Sequence, residues 1–308
     1  MTLEVTSKYR TSIGLLLIVS FSQSFILIFS TFLTRTGVSS LEQVFFRIVI
    51  ALPPIYLLAR SKGNLNCRNL VHYAPSGCVF AAFLMSGLSS LALGSAIAVT
   101  VGLIYTQPLF TTVLAVASGR EHVGWKQLII IIVGVVGAIL VSGILNETLS
   151  SNRLLGILSA LLGGFWYSLY LFLKRLPRTA MNPLQGIFGT LLFAAPCTLI
   201  LGMMLRAVTD NPALVQFSSL NIQQLLLLAG LGIISTALPY GTLNQVKTNQ
   251  VSPTTEGTIL LLDPLFHTLW AALFFQQFLY FTQYLGFMLI MVSAVLVVKK
   301  SLTERATN

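Results

Sequence analysis

Ten runs of about 20 mostly apolar residues dominate this chain. They lie at 12–33, 41–60, 71–91, 95–117, 127–145, 154–173, 184–206, 223–246, 255–276 and 282–299. Each is long enough to cross a bilayer as a helix, and a helix satisfies its own backbone polar groups, as lipid demands. The expected fold class is therefore all-α integral membrane, with ten transmembrane helices. Composition agrees: 55% of residues are apolar and only 8% are charged, against about 25% charged in soluble domains. A net charge of +10 would point to nucleic acid in a soluble protein. Here the basic residues sit in short loops, so they read as orientation signals, with no nucleic-acid partner expected. The first run follows Lys8 and Arg10. It is too long for a secretory signal and ends without a small-residue cleavage site, so it reads as an uncleaved first span.

Lysine and arginine placement sets the orientation. With the N-terminus in the cytosol, 14 of the 18 fall on the inside; Arg35, Arg153 and Arg206 fall outside, and Arg47 lies within a span. Dropping one span would reverse every later loop and erase this asymmetry. The link at Ala92–Gly94 is short enough that spans 3 and 4 could be one, but the internal repeat favours splitting them. Cys67, Cys78 and Cys197 show no metal-ligand spacing and no disulfide framework. Cys78 and Cys197 read as small apolar core residues.

The two halves repeat each other. Gln107-Pro108-Leu109-Phe110 matches Asp263-Pro264-Leu265-Phe266 at a shift of 156 residues. Leu128–Val141 lies over Leu285–Val298, and Leu41–Pro53 over Leu184–Pro196. The boundary falls between 1–147 and 148–308, as one integrated bundle. Five spans per half make the second half start on the opposite side, so the repeats are inverted, a common plan of secondary transporters.

Ionisable groups inside spans are costly and need a cavity or a partner. In span 9, Glu256, Asp263, His267 and Trp270 are spaced for one helix face. Span 4 offers Thr100, Gln107, Thr111 and Leu114 as the facing stripe. Asp263 and His267 are candidates to bind solute or exchange a proton. The competing reading has Asp263 satisfying backbone groups beside Pro264 and His267 bonding a neighbouring helix. Glu256 is a second coupling candidate, or simply favours its helix N-terminus. Pro108 and Pro264 free the carbonyls of Ile104 and Leu260 and are candidate hinges, or static kinks; Pro239 reads as a static kink. Arg47 reads as structural, bonding a carbonyl or snorkelling to the outer surface, with neutralising a solute carboxylate as the competing reading. Tyr105, Trp166, Tyr170 and Tyr240 are candidate aromatic walls, with Gly163-Gly164 allowing close helix approach. Trp125 and Tyr280 read as interface anchors.

In its paired repeats, Arg47-x-x-x-Ala51, Pro108, Glu121, Asp263 and Pro264, the chain resembles the EamA-type branch of the drug/metabolite transporter superfamily. Gln277 and Thr190 depart from that pattern, standing where a glutamate and a second arginine are expected. The resemblance implies export of amino acids, related metabolites or drugs across a cell membrane, in a monomer or weak homo-oligomer, with proton coupling as one form. No P-loop, metal cluster or catalytic triad pattern occurs, so neither an enzyme nor a cofactor is expected. A nucleotide-sugar or phosphate-ester exchanger needs several cavity cations and finds Arg47 alone. A channel, or an intramembrane enzyme built on Asp263 and His267, is the alternative of a different class.

Side-specific labelling of tags at the two chain ends should find both on the cytoplasmic side. Ends on opposite sides would contradict the even span count.

Overall fold

The computed structural model describes residues 2–61, 63, 65, 67–118, 124–141, 150–174, 182–245, 260 and 262–306. Glu121 and Glu256 lie outside the described residues. Among the described residues every regular element is helical. In chain order they are α1 (Thr2–Gln23), α2 (Ile26–Arg35), α3 (Ser40–Arg60), α4 (Cys67–Leu70), α5 (Ala74–Ala92), α6 (Ile97–Ile104), α7 (Gln107–Ala117) and α8 (Trp125–Val141). They continue with α9 (Ser151–Lys174), α10 (Pro183–Arg206), α11 (Pro212–Val215), α12 (Ile222–Gly232), α13 (Leu238–Leu243), α14 (Leu262–Phe275) and α15 (Phe281–Ala306). Five residues of π-helix, Ile233–Ala237, join α12 to α13.

Six helical stretches are long and apolar enough to cross a membrane: Thr11–Arg35, Ser40–Arg60, Arg68–Ala92, Ser151–Leu173, Pro183–Arg206 and Ile222–Leu243. Shorter apolar helices cover Ile97–Thr111, Ile132–Val141, Leu262–Phe275 and Phe281–Ser293. Their outward faces are apolar. On α8, Ile129, Ile132, Val135, Val136 and Ile139 are 44–52% exposed. An unbroken apolar belt of this kind belongs against lipid, not water. The chain is a multi-pass membrane protein.

Polar caps mark where helices begin. Ser39 and Glu42 form a capping box at the start of α3, satisfying backbone N–H groups that a helix start leaves open. Glu42 also accepts bonds from the backbone N–H and the hydroxyl of Ser218. The carboxylate is thus consumed in fastening α3 to the segment after α11. Asn221 and Gln224 repeat the capping box at α12. Gln277 has a comparable use: its Oε1 accepts from the Ile97 N–H, 3.0 Å away, at the start of α6.

Packing pairs α3 with α10 and α8 with α15. Helix α5 packs on α9 and α10, while α13 packs on α1 and α12 on α3. Both α6 and α7 pack on α9; α14 packs on α1 and α6. Small residues set the closest approaches, as expected where lipid supplies no hydrophobic drive between helices. A β-carbon at Gly286 would stand 2.6 Å from the Gly137 carbonyl oxygen, so α8 and α15 meet backbone to backbone. Gly77 likewise admits Phe193 Cβ and the Thr190 carbonyl of α10.

That approach of α5 to α10 corrects the expectation for the cysteines. Cys78 and Cys197 form a disulfide pair with Cα atoms 5.3 Å apart, within the usual range for such bonds. They are 119 residues apart in sequence, so only the helix pairing reveals them. Trp125 and Tyr280 are 73% and 51% exposed, in keeping with interface anchors.

Gly286→Ala should destabilise the protein by about 1–3 kcal/mol through overpacking. Gly14→Ala should be close to neutral, since nothing lies within 4 Å of the added carbon. Thermal unfolding in detergent measures both.

Candidate functional site

The site forms where helices are interrupted. Pro108 has no N–H to offer the carbonyl of Ile104, four residues earlier. The helix breaks there: α6 ends at Ile104, Tyr105 and Thr106 form a turn, and α7 restarts at Gln107. Pro108 thus sits in the first turn of a new helix, where proline is tolerated, and not within a bent continuous one. Gly164 of α9 comes so close to this break that a β-carbon would stand 2.9 Å from the Ile104 oxygen. A second break, at Ser24 and Phe25, separates α1 from α2.

A third irregularity is the π-helical segment. Pro239 cannot donate to the carbonyl of Ser235, four residues before it. That carbonyl accepts from Arg47 Nη2 instead, at 3.3 Å. Arg47 Nε donates to Thr236 Oγ1 at 3.0 Å. Arg47 is 0% exposed, so it does not snorkel. Its third nitrogen, Nη1, is buried without a hydrogen-bond partner.

Opposite in charge is Asp263, in the first turn of the described part of α14, beside Pro264. Both are buried. Tyr105, exposed from its helix by the break, donates its hydroxyl to Asp263 Oδ2 at 2.5 Å. His267, one turn on, sets Nδ1 3.0 Å from the Asp263 backbone oxygen and 3.2 Å from Oδ1. Both neighbours are acceptors, so Nδ1 carries the proton. Asp263 Oδ1 and His267 Nε2 have no hydrogen-bond partner although both are buried.

These groups line one cavity of roughly 50 Å³. Arg47, Asp263, His267, Tyr105 and Gln23 supply its polar wall. Apolar side chains of α2, α5 and α6 supply the rest, including Ile26, Leu27, Phe83, Leu84, Leu88, Val101 and Ile104. Tyr167 of α9 completes it, stacked on Phe83 with ring centres 4.7 Å apart.

Of the residues singled out in the sequence, the structure brings Tyr105, Asp263 and His267 together at this cavity. Tyr240 and Tyr170 pack on Phe80, at 4.9 and 5.1 Å between ring centres, and Tyr240 accepts a bond from Gln23. They stand behind the wall. Trp270 turns away into a ring cluster, 5.6 Å from Phe25, and donates to Ser24 Oγ. Trp166 packs on Phe165. Gln107 and Thr111 bond each other, and Thr111 bonds Ser168 of α9. The break before Gln107 turns α7 out of register with α6, so the expected continuous stripe Thr100–Gln107–Thr111 does not face α14. Arg47, weighed in the sequence chiefly as a structural residue, also lines the cavity, and Gln23 and Tyr167 are lining residues that sequence reasoning missed. For Arg47 a signal existed: the carbonyl that Pro239 frees needs a donor.

Comparison with known proteins follows the same architecture. Residues 10–143 and 154–299 each match the sequence pattern of the EamA-like transporter family, so the pattern occurs twice along the chain. No protein of curated function matches. A crystal structure of a protein is similar in fold, with a TM-score of 0.62 at 14% sequence identity, over 97% of this chain and 99% of that one. With most of its length matched in two successive copies, the chain belongs to the EamA-like transporter family.

Proposed function

We propose that this transporter is a secondary carrier that exports small organic solutes, amino acids or related metabolites and drugs, by alternating access around the Arg47–Asp263 cavity. The observation that carries this reading is that one cavity is lined by three buried residues, Arg47, Asp263 and His267, each holding a polar atom that no hydrogen bond satisfies. Buried charge without a partner is costly in a membrane bundle and marks solute or ion pathways. The cavity also lies among helix breaks, and discontinuous helices build the midplane sites of transporters.

The six long and four shorter apolar helices support ten spans in two inverted halves. The packing supports the same plan. Exchanging each helix for its counterpart in the other half maps the main packing pairs onto one another: α5 with α9 becomes α13 with α1, and α5 with α10 becomes α12 with α3. Such a bundle has two equivalent ways to close, one on each side of the membrane. Its present cavity has room for a few water molecules and falls well short of the roughly 300–1,000 Å³ of drug-sized pockets. Passage therefore needs the halves to rock apart on one side at a time. Both chain ends lie in the cytosol in this reading. Proton exchange, where it drives uphill export, runs through Asp263, which Tyr105 and His267 hold. Among the described residues Arg47 is the lone lysine or arginine lining the cavity, which disfavours phosphate esters.

Purified protein in liposomes should show saturable counterflow, with uptake of labelled solute rising when the lumen is preloaded with the same solute. A panel of amino acids, purines and cationic drugs is the screen; unsaturable flux without trans-stimulation would indicate a channel. Asp263→Asn should abolish uphill accumulation under a pH gradient while exchange at saturating solute persists. Uphill transport equal to that of the parent protein would remove Asp263 from the coupling step.

A further inference from the structure

Toward the face where α2 and α14 end and α6 begins, one helix of the second half closes against two of the first. Helix α14 carries Asp263 and His267 in the cavity wall and runs on to Phe275, about 18 Å away at 1.5 Å per residue. There Phe275, 9% exposed, lies under the Arg35 guanidinium at 4.8 Å and against the Phe32 ring at 5.0 Å. Arg35 and Phe32 belong to the last turn of α2. Two residues beyond Phe275, Gln277 reaches the start of α6. That helix has no side-chain cap of its own, because Ala96 precedes it. Lipid cannot satisfy its open N–H groups, and Gln277 Oε1 accepts from the Ile97 N–H at 3.0 Å. The turn that aims Gln277 is a costly one. Gln276 has φ +53°, the one positive φ outside glycine among the described residues. The Gln277 N–H closes this turn on the Ala271 carbonyl at 3.1 Å.

Resting on the carrier reading, we infer that this end of α14 is the outer gate of the cavity, with Phe275 as its plug and Gln277 as the latch that holds it shut. Other junctions between the halves at the same face are stronger. Glu42 accepts from both the N–H and the hydroxyl of Ser218. The Ser39 hydroxyl donates to the Gln216 carbonyl, and Gln224 Nε2 donates to the Thr36 carbonyl. These bonds fasten the α11–α12 side of the second half to the ends of α2 and α3. Among the described residues, the end of α14 is tied by one neutral hydrogen bond and by ring contacts. A neutral bond is weaker than one to a carboxylate, so α14 is the element that parts first. Swinging away from α2 and α6, it uncovers the wall formed by Ile26, Leu27, Val101 and Ile104. The strength of the Gln277 bond then sets how much of the population stands open outward.

The test uses the full chain in liposomes of one orientation, with its three cysteines replaced by serine and Leu84→Cys in the cavity wall. A membrane-impermeant thiol reagent is presented at either face. Gln277→Leu removes the acceptor and should speed labelling from the outer face roughly three- to tenfold, the worth of one hydrogen bond. Gln277→Glu, at pH 8, keeps the acceptor and places a negative charge at the helix start. It should slow outer labelling about two- to fivefold. From the inner face the two variants should shift in the opposite directions, because molecules open outward are drawn from those open inward. Should Gln277→Leu fail to fold, the opposed shifts of Gln277→Glu decide alone. Labelling at both faces with rates indifferent to position 277 overturns the gate and leaves the carrier reading standing. Faster labelling of Gln277→Leu from both faces does the same, since it marks general loosening. Labelling confined to one face, or absent from both, in all three proteins overturns the carrier reading along with the gate.

Discussion

A carbonyl released from its helix inside a bilayer must find a donor within the protein, because lipid offers none. Pro239 creates that demand at Ser235, and Arg47 meets it. The rest of the site depends on this one exchange. It draws a guanidinium into the bundle and spends two of its nitrogens on α12–α13. The third is left buried without a hydrogen-bond partner. A static kink would have needed no charge at all; a serine or threonine hydroxyl from a neighbour would have served. The cost of burying an arginine argues that the remaining N–H group has a use of its own.

The second half answers with Asp263. In the repeat alignment Asp263 stands over Gln107, and Arg47 stands over Thr190. At the cavity the first half thus supplies Arg47 and the second Asp263, each standing over a neutral residue of the other half. Thr190 bonds the Gly186 carbonyl of its own helix, while Gln107 bonds Thr111.

Hydropathy made the membrane class legible, and the proline-anchored repeats made the two-copy architecture legible, because both signals are local in sequence. Asp263 and His267 were legible for the same reason: four residues apart, they must share a helix face. Trp270 shares the stripe yet turns to Phe25, since a face seven residues long spans both the cavity wall and the neighbouring helix. The Gln107–Thr111 face was misread because periodicity assumes an unbroken helix, and the break at Tyr105 resets the register. Gln23, Tyr167 and the Cys78–Cys197 pair depend on which helices lie side by side, and no spacing along the chain records that.

The claim at the centre of this account is that the Arg47–Asp263 cavity is a solute path and not a packing defect. A chain with its three cysteines replaced by serine, carrying Leu84→Cys in the cavity wall or Ile132→Cys on the lipid-facing belt, tests it by labelling in liposomes with a small water-soluble thiol reagent. Leu84 is 3% exposed and Ile132 is 52% exposed, so static exposure predicts labelling at 132 alone. The account predicts the opposite: reaction at position 84, slowed by a transported solute, and none at 132. A cysteine at 84 as inert as the one at 132 would contradict it.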